Sequence, residues 1–509
     1  MTSPLLCELV ASMTTFIDLL CHSGSSEDVV LRSGASGVTR AVLGEKVENI
    51  AAHLLNSGAK CVALHADNGP DWILVDLACQ SAGILLVPVP LFFSDEQILH
   101  TLHVSGADVL ITDRVVKESC IGEIAGGRSE IASLATLHLY ALQSNSTTRI
   151  PAGTQKITFT SGTTGSPKGV CLSIAQQIVL ASSLAESIDI EAPRHLCVLP
   201  LSTLLENLAG VYTPLISGGT VVVPSLSEVG LTGSSNLDIH RLLECIAREQ
   251  PHSLILVPEI LGALTIAAES GWRPPSSLLF IAVGGGKVAA DLLLRARGTG
   301  LPVFEGYGLS ECGSVVALNV PGADKPGAVG RPLPHLDVSI ENKEIVVSGN
   351  SFLGYIDQPD SWGSGSVRTG DLGHIDSDGF VHIDGRVKNQ LITSYGRNLS
   401  PEWVESELLA GALLQQAVVI GDARPWCVAL VWPHQAATND EDIAAWIRKA
   451  NQRLPDYARI VDWRRVPAPM TSSNGQLTGN GKPRRKEIEC QFGHLIEQMY
   501  TEHAEASNQ

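Results

Sequence analysis

The sequence has no excess of basic residues: 53 Asp and Glu stand against 35 Lys and Arg, for a formal charge of −18 over 509 residues. A nucleic-acid partner needs a basic face to displace counterions from phosphates, so this balance argues against that class of function. Charge of either sign is sparse, at 17% of residues against 44% apolar, which lets a chain of this length bury large cores and divide into more than one domain. There are 11 cysteines but no CxxC pair. An odd number of dispersed thiols fits a reducing compartment better than a disulfide framework. Long apolar runs are missing too. The longest, "SAGILLVPVPLFF" from 81 to 93, is broken by Pro88 and Pro90 and is too short to span a bilayer. The N-terminal "MTSPLLCELVASMTTFIDLLC" contains Glu8 and Asp18 and no basic leader, so it reads as an amphipathic helix rather than a signal peptide. A cytoplasmic protein without a transmembrane segment is expected.

What is present is an α/β rhythm. "EKVENIAAHLLNSGAKCVALHADNGPDWILVDLACQSAGILLVPVPL" alternates helical spacing with short β-branched runs closed by Gly, Asn or Pro. The rhythm recurs at 195–223, where "HLCVLPL" leads through a helix-like "LLENLAGVYTPLI" to "GGTVVVP", and again at 251–283. Such repeats predict layered, mostly parallel sheets with helices on both faces. From 338 to 384 the texture changes to short strands and tight turns, with SDG and IDG expected to mark hairpins in a β-rich subdomain. A further α+β segment runs from about 389 to the end, and "MTSSNGQLTGNGK" at 470–482 reads as a mobile loop.

The stretch "ITFTSGTTGSPKGV" at 157–170 interleaves Ser and Thr hydroxyls, glycines and one lysine between two apolar runs. Glycines let backbone N–H groups turn toward one point, hydroxyls add donors, and a lysine supplies a compact charge for a polyphosphate. It is not a Walker loop: Pro167 stands where the second glycine belongs, and Gly169 where a hydroxyl should follow Lys168. On its own the stretch could equally be an exposed turn rich in small residues.

Other motifs decide between these. "TSGTTGSPKG", "EGYGLSE" at 305–311, "TGDLG" at 369–373, "DGRVKNQLITSYGRNLSPEWVE" at 384–405 and "GNGKPRR" at 479–485 follow one another along the chain. In that order and approximate spacing they resemble the adenylate-forming superfamily of acyl- and aryl-CoA ligases, peptide-synthetase adenylation domains and beetle luciferases. "GPDWILVDLACQSAGILLVPVPL" also looks like its N-terminal region, so the resemblance covers nearly the whole chain.

The resemblance implies a two-step chemistry in which AMP is transferred from ATP to a carboxylic acid with loss of pyrophosphate, and the acyl group then passes to an acceptor. It implies that Ser161, Gly162, Thr163, Thr164, Gly165 and Lys168 hold the leaving phosphates. It places Gly285, Glu305, Gly306, Tyr307, Ser310, Asp371 and Arg386 around the nucleotide. Tyr307 would stack on adenine, Asp371 would accept the ribose hydroxyls, and Arg386 would contact ribose or phosphate. Glu311 and Thr163 would hold Mg²⁺, a hard cation suited to oxygen ligands. Lys482 would bridge the substrate carboxylate and the α-phosphate, and it is the implied catalyst together with Glu311 and Thr163. Residues 1–386 would form the adenylation domain and 387–509 a mobile lid pivoting at Lys388. Each residue also has an ordinary role open to it: Tyr307 in core packing, Glu311 at a helix start, Arg386 in a surface ion pair, Lys482 in a basic tail before Arg484, Arg485 and Lys486.

Several positions depart from the family pattern. Thr203 in "LPLSTLLEN" and Ile174 in "GVCLSIAQ" stand where many members carry histidine or an aromatic, and Tyr395 in "SYGRNLSP" replaces a commoner second glycine. The pocket walls are expected to include Glu206, Asn207 and the "VGGGK" strand end at 283–287. "GRVK" and "PLSTLLEN" look more like the long-chain acyl-CoA synthetase branch. The leading expectation is an acyl-CoA synthetase for a fatty or aromatic acid using ATP, Mg²⁺ and coenzyme A. The alternative hands the acyl group to a separate carrier-protein thiol or to an amine. A third, of a different class, is a nucleotide-binding regulator without turnover.

Overall fold

The computed structural model describes residues 16–114, 124–130, 134, 136–143, 147–160, 167–232, 236–394, 397–411, 413–478 and 481–507. The stretch 1–15, most of the hydroxyl-rich loop (161–166), Tyr395 and Gly396, and Gly479 and Asn480 lie outside the described residues. The sequence expectations for Ser161, Gly162, Thr163, Thr164, Gly165 and Tyr395 therefore fall outside them too.

Two large sheets dominate. In the nine-stranded sheet the central strands Val303–Tyr307, Phe280–Val283, Ser253–Leu256, Arg194–Leu196, Thr220–Val222 and Val29–Ser33 run parallel, in that spatial order. In the eight-stranded sheet Lys156–Thr160, Leu85–Pro88, Cys61–His65 and Val109–Thr112 do the same. Both sheets are mixed rather than wholly parallel, because hairpins such as Lys156–Thr160 with Lys168–Leu172 add antiparallel strands at the flanks. Apolar runs report burial on both faces, which a flanking strand covered by helices shares with a central parallel one.

Helices fill the space between the sheets and cover their outer faces. Arg40–Asn56 presents Leu43, Val47, Ile50 and Leu54 to the inner core at helical spacing, and Thr39 caps it by accepting the Val42 N–H. Pro70–Ala82 starts on proline and ends at Gly83 in the left-handed region. Ile174–Ile188 begins with a capping box between Ser173 and Gln176. The outer face of the nine-stranded sheet is covered by Ile239–Glu249, Pro258–Glu269 and Ala290–Gly298. The "LLENLAGVYTPLI" segment is a π-helix over Glu206–Tyr212 followed by a short α-turn, Thr213–Ile216. A hydrophobic period cannot tell these helix types apart, and π segments concentrate at functional sites.

Residues 337–386 form a four-stranded antiparallel sheet. Its first hairpin turns on Asn342 and Lys343, both at positive φ, and SDG turns the last hairpin with Gly379 at φ +82°. IDG does not mark a hairpin: it lies inside strand Val381–Arg386. Gly385 is needed there because an added Cβ would sit 2.7 Å from the Ser400 Cβ. The C-terminal segment builds a three-stranded sheet, Leu414–Ile420, Cys427–Pro433 and Ile460–Arg465, with Pro401–Leu409 and Asp440–Asn451 packed into the core of one face and Arg485–Ser507 into that of the other. Among the described residues all nine cysteines are free, and no helix is long and apolar enough to cross a membrane.

Candidate active site

The strand Val303–Tyr307 delivers the "EGYG" residues to the carboxyl edge of its sheet, where open α/β sheets hold ligands. Gly308 follows, and a side chain there is impossible because a Cβ would lie 1.7 Å from the Ser314 carbonyl oxygen. That close approach folds the chain back through the short 3₁₀ turn Ser310–Cys312, which sets out Glu311. Gly306 pairs with Leu318, whose Cδ1 is 3.0 Å from where a Cβ would be.

Tyr307 is anchored at its tip. Its hydroxyl donates to Asp371 Oδ2 at 2.6 Å, and burial, followed by the Asp371 charge, raises the phenol well above its usual range and keeps the proton in place. Arg386 Nε lies 2.7 Å from the other carboxylate oxygen, Oδ1. Asp371 is buried at 3% exposure, yet a carboxylate has about four lone-pair sites, so two remain for hydroxyl donors.

Glu311 accepts a hydrogen bond from the Tyr355 hydroxyl at 2.7 Å, and the Lys168 ammonium sits 5.5 Å from the Tyr355 ring centre. Tyr355 thus ties the end of the hydroxyl-rich loop to the Glu311 carboxylate, and nothing in its local sequence singles it out. One Glu311 oxygen holds that bond, and the remaining lone pairs suit a hard cation shared with phosphates and water. Glu305 is placed differently. Its carboxyl is buried, lifted to about 7 by desolvation against the opposing pull of Lys287, Arg297 and the Val288 N–H. The Glu305 carbonyl accepts from the Asn319 N–H and side-chain amide, both at 3.0 Å. Gly285 takes φ +81°, and it and Gly286 rest against Val257 and Pro258 at the start of the helix that carries Glu259.

Lys482 comes from the far end of the chain. Thr478 N–H donates to the Lys482 carbonyl at 2.8 Å, and Lys482 N–H returns a bond to the Thr478 hydroxyl at 3.1 Å, closing a tight turn with Gly481 at φ +74°. The residue is exposed, yet protein crowds its ammonium. This desolvation, and then Arg386, holds its pKa below the usual lysine range, opposed by Asp371, Glu402 and Glu259. The structure therefore brings Lys482, Asp371, Arg386, Tyr307 and the Gly285 turn to one place, with Glu311 and Lys168 grouped around Tyr355. Lys388 is exposed in the turn after Val381–Arg386. Thr203 spends its hydroxyl on the Pro200 carbonyl at 2.5 Å, and Ile174 opens the helix after Ser173.

Glu206 and Asn207, expected in the pocket wall, anchor two buried networks. Asn207 joins Lys156, Asp76 and Tyr212, with Lys156 Nζ 2.9 Å from Asp76 Oδ1 and 2.5 Å from Asn207 Oδ1. Glu206 holds His195 Nε2 at 3.0 Å and accepts the Leu199 N–H at 3.2 Å. Sequence reading missed His195, although a histidine inside a strand-like apolar run was a signal.

Residues 23–356 match the family model described as AMP-binding enzyme, and residues 388–504 match that of the AMP-binding enzyme C-terminal domain. The long-chain-fatty-acid–CoA ligase FadD15 of Mycobacterium bovis is 27% identical over 91% of this chain and 92% of its own. Feruloyl-CoA synthase of an Amycolatopsis species is 29% identical, covering 92% of this chain and 97% of its own. In fold, the chain is similar to O-succinylbenzoate coenzyme A synthetase of Bacillus subtilis, solved with ATP and magnesium ion, at a TM-score of 0.75 and 24% identity over 93% of this chain and 99% of that one.

Proposed function

Because the chain belongs to the AMP-binding enzyme family, we propose that its site activates a carboxylic acid with ATP and passes the acyl group to coenzyme A. In the first step a carboxylate oxygen attacks the α-phosphorus, the bond to the β-phosphate oxygen breaks, and pyrophosphate leaves an acyl-AMP mixed anhydride. In the second a thiolate attacks the acyl carbon, forming the thioester and releasing AMP. The observation that carries this reading is the buried Asp371 carboxylate, held by the Tyr307 hydroxyl and Arg386 with lone pairs to spare, at the strand end beside the glycine turn.

Asp371 accepts the ribose hydroxyls with the lone pairs that Tyr307 and Arg386 leave free. The Tyr307 ring, fixed at its hydroxyl, stacks on adenine. Lys482 offsets negative charge growing between the carboxylate and the α-phosphate. Ser161, Gly162, Thr163, Thr164, Gly165 and Lys168 hold the departing phosphates, and Gly285, Gly306 and Ser310 shape the nucleotide pocket from the backbone. Mg²⁺, held by Glu311 with Thr163, would neutralise phosphate charge. Residues 1–386 act as the adenylation domain and 387–509 as a lid that turns about Lys388 between the two steps. The enzyme is read as cytoplasmic, in line with its free described thiols.

The test is purified protein with ATP, Mg²⁺ and a panel of fatty and aromatic acids, followed by coenzyme A, amines or carrier protein added separately. Acid-dependent pyrophosphate with acyl-CoA as product is expected. Transfer only to an amine or a carrier thiol moves the reading to the alternative acceptor, and no AMP with any acid overturns it.

A further inference from the structure

His195 lies in the strand Arg194–Leu196, and Cys197 continues its pairing by donating its N–H to the Val222 carbonyl at 2.9 Å. Two residues apart on extended backbone, they project their side chains from the same face of the sheet. Glu206 opens the π-helix and reaches the same point, with Oε1 3.0 Å from His195 Nε2. One donor atom from each of His195, Cys197 and Glu206 lies within 4.8 Å of the other two, and all three residues are buried. The acid-activating chemistry uses none of them.

A buried carboxylate needs a positive partner. In the network one residue further on, Lys156 answers Asp76. Glu206 has no such lysine or arginine: among the described residues its ion-pair partner is His195, which is charged only when protonated. Two occupants can therefore supply the charge, a proton on the imidazole or a metal dication. With the proton, the Cys197 thiol stays neutral and contributes nothing. With a dication, Nε2 and Sγ each release a proton, and the thiolate and the carboxylate balance the two positive charges of the ion.

The geometry suits a small ion. Zinc holds imidazole nitrogen and carboxylate oxygen at about 2.0–2.1 Å and thiolate sulfur at about 2.3 Å, which at a tetrahedral angle sets nitrogen and oxygen about 3.3 Å apart. Nε2 and Oε1 already stand at 3.0 Å, and drawing Sγ onto the same ion needs a shift of on the order of 1 Å. Gly210 keeps the space against these two donors open, since a Cβ there would come within 2.5 Å of Oε1 and 2.8 Å of Nε2. Both ligands are also oriented from behind, as metal ligands commonly are. Nδ1 is 2.9 Å from Ser253 Oγ, which can accept its N–H, and Glu206 Oε2 accepts the Leu199 N–H at 3.2 Å. One sulfur, one imidazole and one carboxylate favour zinc over Mg²⁺, which takes oxygen ligands.

We propose that His195, Cys197 and Glu206 form a buried zinc site, separate from the Mg²⁺ position at Glu311, with water as the fourth ligand. The ion ties the strand that follows Arg194 to the start of the π-helix, and its role is structural.

The experiment expresses the full chain in zinc-supplemented medium, removes loosely held ions on a chelating resin, and measures retained metal by plasma mass spectrometry. Cys490, the exposed thiol among the described residues, is replaced by serine throughout so that it offers no competing sulfur. This C490S parent should keep about one zinc per chain, and X-ray absorption at the zinc edge should show a single sulfur neighbour at about 2.3 Å. C197S and E206Q, made in the same parent and shown to be folded by circular dichroism, should each lose most of that zinc. Grown with cobalt instead, the parent should show a thiolate-to-cobalt charge-transfer band that C197S lacks. A parent that retains no zinc, zinc with no sulfur neighbour, or undiminished zinc in folded C197S overturns the proposal and leaves the three residues as a hydrogen-bonded group holding its proton. If neither variant folds, the zinc content and sulfur neighbour of the parent decide alone.

Discussion

Arg386 stands directly opposite Asp371 in the antiparallel register of the last hairpin, with Nε 2.7 Å from Oδ1, while Tyr307 reaches the same carboxylate from the neighbouring sheet. One buried anion thus joins the four-stranded sheet to the strand that carries the nucleotide-site glycines. Replacing it by Asn keeps the shape but leaves Arg386 without its counter-charge. D371N should raise the KM for ATP roughly 10- to 100-fold, the cost of about 1.5–3 kcal/mol typical of a hydrogen bond to a charged group. The KM for the acid should change far less, and steady-state kinetics with each substrate varied in turn separates the two.

Lys388 lies in an exposed turn between Arg386 and the C-terminal segment. Proline there fixes φ and restricts the preceding residue. K388P should leave acyl-AMP formation within a few-fold of wild type and slow thioester formation by at least about tenfold, as expected where a domain movement gates the second step. Single-turnover measurement of each half-reaction checks this, and equal loss in both would remove Lys388 from the pivot.

Burial raises the Glu305 carboxyl to about 7. The folded state therefore binds a proton that the unfolded chain has released between about pH 4.5 and 7, and stability attributable to this group falls as pH rises through that window. The span corresponds to on the order of 3 kcal/mol. E305Q should be flat where the wild type slopes, and it should gain on the wild type between pH 5 and pH 8 in urea titrations. Parallel pH profiles for the two proteins would contradict the assignment.

Lys156 and Asp76 form an ion pair that is almost wholly buried, at 1% and 0% side-chain exposure, sharing Asn207 and Tyr212. Removing one partner strands the other charge. K156M should cost about 3–5 kcal/mol of stability, whereas K156M with D76L should recover much of that loss. Denaturant midpoints of the two variants provide the measurement.

Much of this was legible in the sequence, and the limits have physical causes. The motif residues Tyr307, Asp371 and Arg386 do meet: Tyr307 and Arg386 end their strands, and Asp371 lies inside Ser366–Ile375 beside Gly370 at φ +71°. The direction of the flanking strands was not legible, since an apolar run records burial and not polarity of the chain. Gly385 marks no turn, because a glycine also serves where another segment approaches closely, here the Ser400 side chain. The turn at Asn342 and Lys343 is the opposite case, having positive φ without the glycine that would mark it. Tyr355, which orients Glu311, and the His195–Ser253 pair arise from contacts between segments distant in sequence, and no spacing rule reaches them.

The most direct test of the central claim is acid-dependent ATP–pyrophosphate exchange by the wild type and by K482A. With Lys482 supplying charge at the reacting phosphate, the folded variant should lose exchange by roughly 10²- to 10³-fold. The depressed Lys482 pKa adds a pH signature: the lysine loses its charge at lower pH than usual, so wild-type exchange should decline on the basic side, and K482R should carry that decline to higher pH. Exchange preserved in folded K482A would contradict the account.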